Sequence, residues 1–104
     1  MAALERYRLA YERLDVALAR EVWPGVDGAA LERAFAGLAA QHLRFRACRV
    51  EVAGDAADAE CEGEASYIPK VGGGEPRTSE RHWRFRLRQR AEGWRIESAT
   101  VRPE

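Results

Sequence analysis

The stretch from residue 81 to residue 101 constrains the fold more than any other part of the sequence. Large apolar residues alternate with arginine and other polar residues, and the alternation is broken once, at residues 91–93. A period of two is typical of β-strands, and a short break that contains glycine suits a tight turn between two of them. The stretch therefore predicts a β-hairpin. Because one face is apolar and the other almost wholly arginine, we expect one side to be buried and the other to face water.

Length and charge balance limit the classes of protein to which the chain can belong. Its 104 residues suffice for a single domain, residues 1–104, with a core of its own. Basic and acidic residues number 17 each, so net charge favours neither nucleic acid nor an anionic membrane as a partner. No apolar run is long enough to span a membrane, and the N-terminus lacks the pattern of a signal peptide. We therefore expect a cytoplasmic protein with reduced cysteines.

The first 41 residues predict two helices. Apolar side chains recur at spacings of three and four from Ala2 to Val22, which indicates one helix with a single apolar stripe. Pro24 ends this helix, because its ring disfavours helical geometry in the preceding residue. Asp27 is the predicted N-cap of a second helix that runs from Gly28 to about Gln41. The stripe of the first helix consists of Leu4, Tyr7, Tyr11, Leu14 and Leu18.

From His42 onward the period changes to two, and the pattern predicts four antiparallel strands. A change of phase near Ala47 indicates a β-bulge. A turn at residues 53–56 sets Cys48 opposite Cys61 in the neighbouring strand. This pairing permits a disulfide, but we expect free thiols, because they are the commoner state in a reducing compartment. Residues 69–80, with glycines at 72–74, are predicted to form a long loop. The predicted architecture is α+β: two N-terminal helices packed on one face of a four-stranded antiparallel meander.

Charged residues of opposite sign occupy the outward positions of neighbouring strands. If the second and third strands pair, they form a ladder of cross-strand ion pairs. A basic surface for nucleic acid or phosphate is disfavoured, since the adjacent carboxylates would neutralise it. A third interpretation places the charged face in a dimer interface, with pairs completed between subunits. The residues are Asp58, Glu60, Glu62 and Glu64 on one strand and Arg84, Arg86, Arg88 and Arg90 on the other.

Taken together, several features resemble the nuclear transport factor 2-like superfamily, which includes SnoaL-type cyclases, ketosteroid isomerases and many non-catalytic bacterial domains. They are a first helix with Tyr7, Tyr11 and Asp15, the exit Trp23-Pro24, a second helix with Phe35 and Leu38, a small-residue strand, the strand RHWRFRLRQR, and the closing Gly93-Trp94-Arg95-Ile96. The resemblance implies a cone, in which a strongly curved sheet wraps the first helix and leaves a pocket at its open end. It also implies a homodimer formed through the sheet. The helices would lie on the concave face.

The candidate pocket would take a small apolar ligand. The resemblance implies that Tyr7, eight residues before Asp15, corresponds to the tyrosine that serves as oxyanion donor in ketosteroid isomerases. Both residues are therefore catalytic candidates, although core packing is the favoured role of Tyr7. The expected lining comprises Tyr7, Tyr11, Leu14, Phe35, Trp83, Phe85, Gln89 and Trp94.

A non-enzymatic function is favoured, because isomerase chemistry needs a carboxylate base inside the pocket. The inward positions of the late strands offer no acid, and Gln89 can bind but cannot transfer a proton. The preferred hypothesis is a module for dimerisation or for sensing a small ligand, a terminal domain of a larger bacterial signalling protein. The alternatives are a small-molecule isomerase, cyclase or hydratase that uses Tyr7 with Asp15, and a protein-interaction module that uses the charged sheet face.

Neither a metal nor a cofactor is predicted. The two histidines, His42 and His82, fall at predicted strand starts, where they are expected to be solvated, and no third ligand lies at metal-binding spacing. The glycine run at residues 72–74 lacks the lysine and the strand-to-helix setting of a phosphate-binding loop.

Overall fold

The computed structural model describes residues 1–72 and 74–103, which form three helices and a four-stranded antiparallel sheet. The sheet is curved and unclosed, its strand order is β1-β2-β3-β4, and the helices lie on one side of it. This confirms the predicted α+β cone. No helix in the described part of the chain is long and apolar enough to cross a membrane. The elements are α1 (Ala2–Glu12), α2 (Val16–Val22), α3 (Gly28–Ala36), β1 (Leu38–Ala53), β2 (Ala56–Pro69), β3 (Arg77–Arg90) and β4 (Gly93–Pro103).

The segment Ala2–Val22, predicted as one helix, is divided into α1 and α2. Leu14 adopts a left-handed conformation with a φ of 52°, and the Asp15 N–H donates to the Ala10 carbonyl at 2.9 Å, which closes the end of α1. The Asp15 carboxylate then accepts the Leu18 N–H at 3.0 Å as the N-cap of α2. The apolar spacing continues through the break, which explains why periodicity alone missed it.

The predicted start of α3 at Gly28, with Asp27 as its N-cap, agrees with the structure, but several other boundaries differ. Helix α3 ends at Ala36 rather than near Gln41, since the Gly37 N–H closes its last turn on the Ala34 carbonyl at 3.3 Å. Strand β2 continues to Pro69 and β3 begins at Arg77, so the predicted long loop is shorter than residues 69–80. Gly73, part of that predicted loop, lies outside the described residues.

The predicted register of β1 and β2 is confirmed. Val52 pairs with Ala57 and Cys48 with Cys61, and the register shift lies between Phe45 and Ala47. Beside this bulge the strands approach so closely that a Cβ on Gly63 would lie 1.8 Å from the Arg44 carbonyl oxygen. Only glycine therefore fits at this position without a backbone shift.

Cys48 and Cys61 form a disulfide, where free thiols were expected. The reason is their register: the two residues are direct cross-strand partners, and their Cα atoms lie 4.1 Å apart. Cys48 is exposed, whereas Cys61 is fully buried against the core.

The core lies between α1 and the concave face of the sheet. Trp83, Phe85 and Leu87 are at most 1% exposed, which confirms the predicted buried face of β3. Leu4 and Tyr7 of α1 pack in the same cluster. A second cluster joins the helices and is made of Ala10, Ala19, Leu31 and Phe35, and Tyr11 packs against both clusters.

The convex face carries two of the predicted cross-strand ion pairs. Arg84 donates to Glu60 at 2.7 Å and Arg86 to Asp58 at 3.2 Å, so these two pairs are completed within the chain. Arg88 instead pairs with Asp55 at 3.2 Å, at the end of the neighbouring hairpin. Because most of these side chains are in contact with solvent, the pairs contribute little to stability.

Candidate functional site

A cleft of about 500 Å³ opens at one end of the concave face, and we call it the tyrosine cleft. Residues of α1, α3, β1, β2, β3 and β4 contribute to its walls. Such a volume lies within the range of small-molecule sites. The lining residues are Tyr7, Tyr11, Ala34, Leu38, Gln41, Leu43, Ala65, Tyr67, Arg81, Trp83 and Val101.

Three of the eight predicted lining residues meet in this cleft: Tyr7, Tyr11 and Trp83. Two others lie directly behind these aromatic rings. The centroid of the Phe35 ring lies 5.3 Å from that of Tyr11, and the centroid of the Phe85 ring lies 5.0 Å from that of Tyr7. Both pairs of rings are packed edge to face.

The remaining three predicted residues lie away from the cleft. Leu14 is half-buried at the break between α1 and α2, and Trp94 is half-buried against the main core cluster. Gln89 was expected to face inward but is exposed. It is the penultimate residue of β3, and its backbone N–H donates to the Asp55 carbonyl at 2.7 Å beside the neighbouring turn.

Tyr7 and Tyr11 form the inner wall of the cleft. They lie one helical turn apart on α1, and their ring centroids are 4.4 Å apart. Burial is the main cause that raises the pKa of Tyr7 well above its ordinary value, and the neighbouring Tyr11 adds to it. Burial also raises the pKa of Tyr11. Both hydroxyls therefore stay protonated at neutral pH and can donate hydrogen bonds.

Three polar lining residues were not predicted. Gln41 belongs to β1, not to a helix, and its Nε2 donates to the Tyr11 backbone carbonyl at 3.0 Å. Tyr67 shares the inward phase of β2 with Ala65, and Arg81 shares the inward phase of β3 with Trp83. That alternation was a usable signal for Tyr67 and Arg81. Gln41 carried no such signal, because its strand was predicted to start only at His42.

Asp15 lies apart from the cleft, with its carboxylate engaged as the N-cap of α2. Among the described lining residues there is no aspartate, glutamate or histidine. His42 is exposed, whereas His82, expected to be solvated, is half-buried with its Nε2 3.7 Å from a Glu60 carboxylate oxygen. Across residues 1–72 and 74–103 no group of three or more histidine, cysteine or acidic side chains could hold a metal ion. The cleft can therefore donate hydrogen bonds and bury apolar surface, but its described walls hold no carboxylate or imidazole base.

Solved structures with the same architecture cover nearly all of the chain at low sequence identity. A proposed dehydratase of the NTF2-like family from Streptomyces avermitilis has a TM-score of 0.87 and 17% identity, over 99% of this chain and 92% of that one. An NTF2-like superfamily protein from Salmonella enterica has a TM-score of 0.84 and 16% identity, over 98% and 86%. A proposed aromatic ring hydroxylase from Novosphingobium aromaticivorans has a TM-score of 0.81 and 16% identity, over 98% and 84%.

At the level of sequence, no protein-family model matches the chain and no curated protein is significantly similar to it. Identities below one fifth establish a shared fold, and a fold hosts many unrelated functions. The helices, the meander and the curvature of the sheet all agree with these neighbours. The chain therefore has the nuclear transport factor 2-like fold.

Proposed function

We propose that this chain is a non-catalytic domain that binds a small, largely apolar ligand in the tyrosine cleft. The observation that carries the proposal is the composition of the cleft, whose walls are aromatic and aliphatic with a few polar groups. A concave, mostly apolar site with a few placed hydrogen-bonding groups is the usual form of a small-molecule site. We infer a sensing role, in which ligand binding stabilises the folded domain and this change is passed to a partner domain or subunit.

An enzymatic role that uses Tyr7 and Asp15 receives less support from this geometry. A general base must come within hydrogen-bond reach of the proton that it removes. The Asp15 carboxylate accepts the Leu18 N–H at 3.0 Å and is not part of the cleft wall. The Tyr7 hydroxyl, whose pKa is raised mainly by burial, can donate a proton in a hydrogen bond but is a poor base. The dehydratase and hydroxylase roles proposed for the structural neighbours are therefore not our preferred function for this chain.

The binding proposal is tested with N-phenyl-1-naphthylamine, a neutral apolar probe whose fluorescence rises in an apolar site. We expect saturable binding to the unmodified chain and about a tenfold weaker Kd for Ala65→Phe, because the added ring fills the cleft. Ala53→Phe is the matched control, since Ala53 is exposed at the end of β1 and outside the cleft. Absence of saturable binding, or equal binding by Ala65→Phe and Ala53→Phe, would contradict the proposal.

The catalytic alternative has its own test. Asp15→Asn keeps a side-chain oxygen that can cap α2 but removes the carboxylate. If the chain only binds its ligand, we expect this variant to retain the stability and the probe affinity of the unmodified chain. Turnover of a steroid or hydroxy-ketone substrate by the unmodified chain, lost in Asp15→Asn, would favour the isomerase or hydratase alternative.

We retain a homodimer formed through the sheet and a cytoplasmic location as parts of this proposal. Light scattering tests the dimer directly, and a monomer at high protein concentration would contradict it. The location is tested by alkylating intact cells that produce the chain and then counting the modified thiols in the purified chain. A reducing compartment predicts two alkylated cysteines, Cys48 and Cys61, whereas an oxidising one predicts the disulfide of the structure.

A further inference from the structure

We propose that the ligand of the tyrosine cleft carries a carboxylate, which Arg81 binds, on a flat apolar body that packs against the aromatic wall. This inference rests on the proposed function, because it concerns the same cleft. It adds the chemical class of the ligand: an aromatic or alicyclic carboxylic acid.

The position of Arg81 distinguishes it from the other arginines of β3. Arg84 and Arg86 point to the convex face, where Glu60 and Asp58 neutralise them. Arg81 has the opposite phase and shares the wall of the cleft with Trp83. It is half-buried, and no carboxylate among residues 1–72 and 74–103 forms an ion pair with it.

A half-buried guanidinium beside apolar walls gains free energy when an anion pairs with it. Its planar fork of N–H donors matches the two oxygens of a carboxylate. Because the described lining residues include no acid, an anionic ligand would meet no like charge in the cleft. A cationic ligand would find no carboxylate among the described lining residues and would be repelled by Arg81.

The neighbouring polar groups are donors as well. Tyr11 remains protonated because burial raises its pKa, and Tyr67 adds a second hydroxyl to the wall.

The test uses a matched pair of ligands, 2-naphthoate and the neutral 2-naphthylmethanol, measured by isothermal titration calorimetry at fixed low salt. For the unmodified chain we expect 2-naphthoate to bind about 10- to 100-fold more tightly, the usual range for a hydrogen bond to a charged group. In Arg81→Gln this preference should disappear while 2-naphthylmethanol keeps its affinity. Arg84→Gln, on the same strand but on the opposite face, should keep the preference.

Arg81→Lys serves as a second variant, since it retains the positive charge but not the planar fork, and it should keep only part of the preference. Circular dichroism of each variant checks that the fold is intact. Equal affinity of the unmodified chain for both ligands, or a preference that survives in Arg81→Gln, would overturn the inference and leave the apolar binding site standing. Failure of both ligands to bind would also overturn the inference, and the proposed function would fall with it only if N-phenyl-1-naphthylamine fails to bind as well.

Discussion

The two ends of the concave face are built by the same four strands, yet one end is filled and the other is open. At the filled end, Val22, Ala57, Leu87 and Ile96 are each at most 2% exposed. At the open end, Ala65, Tyr67 and Arg81 are only half-buried around the tyrosine cleft. Helix α2 contacts β4 and contributes Val22 to the filled end, whereas none of its residues lines the cleft. Inward-facing residues of the same strands therefore form core where a helix covers them and form the wall of the cleft where no helix does.

Phe85→Ala should have the largest effect, since it removes a fully buried ring from the filled part of the face. We expect a loss of about 3–5 kcal/mol in the free energy of unfolding, the usual cost of deleting a buried phenylalanine side chain. Urea denaturation followed by circular dichroism measures it. Tyr67→Phe at the open end is the contrasting variant and should cost less than about 0.5 kcal/mol. Comparable losses in both variants would mean that the open end is packed as a core.

Gly63→Ala should have an intermediate effect, and it tests the close approach of β1 and β2 beside the bulge. The new Cβ would lie 1.8 Å from the Arg44 carbonyl oxygen, so the strands must separate. We expect a loss of about 1–3 kcal/mol, as for other overpacked sites. Gly25→Ala is the matched control, because nothing lies within 4 Å of its Cβ position, and it should change stability by less than about 0.5 kcal/mol. A neutral Gly63→Ala would show that the two strands tolerate a wider spacing.

The smallest effect should come from the charged convex face and should appear only in acid. The hydrogen bond from Arg84 lowers the pKa of Glu60, and the hydrogen bond from Arg46 lowers that of Glu80. A carboxyl group whose pKa is lower in the folded state than in the unfolded state stabilises the fold at pH values above its unfolded-state pKa. This stabilisation is lost as the pH falls through the pKa of the folded state. Stability should therefore begin to decrease near the ordinary glutamate pKa of 4.5 and continue to decrease below it.

Thermal unfolding of Glu60→Gln at pH 7 and at pH 3 measures this contribution. We expect a small loss of stability at pH 7 and a weaker dependence on pH than in the unmodified chain. Glu62→Gln is the control, as Glu62 is exposed and forms no ion pair with the described residues. High salt should reduce the effect of Glu60→Gln, because exposed charges are screened. An equal effect at both pH values would show that the pair with Arg84 does not contribute.

Prediction from sequence was most successful in the strands. Two alternating runs must place their apolar residues on one side, and only one register does this, so the pairing of Cys48 with Cys61 and the bulge before Ala47 followed from the pattern. The first helix was harder to predict. The break at Leu14 preserves the apolar spacing, and a leucine in the left-handed region is not a pattern that periodicity detects. Asp15, an effective N-cap residue, was the available signal.

The candidate site was predictable only in part. Tyr7, Tyr11 and Trp83 follow from their places on α1 and β3, and all three line the cleft. Whether Phe35 and Phe85 line the cleft or lie behind its wall depends on how closely the helices approach the sheet, which no local pattern specifies. Gln89 was misplaced because alternation assigns a phase to a residue but does not say where the covering helices end.

The sequence by itself determined the class of fold, the order of the strands, the register of β1 on β2, and the opposite chemistry of the two sheet faces. These depend on local periodicity and on the pairing of neighbouring strands, both of which are encoded by residues close together in the chain. Only the tertiary structure decided that one end of the concave face is filled, that the other is a cleft, and that Arg81 stands in its wall while Asp15 caps a helix. These features depend on where three short helices end above the sheet, and that placement is set by packing between segments distant in sequence.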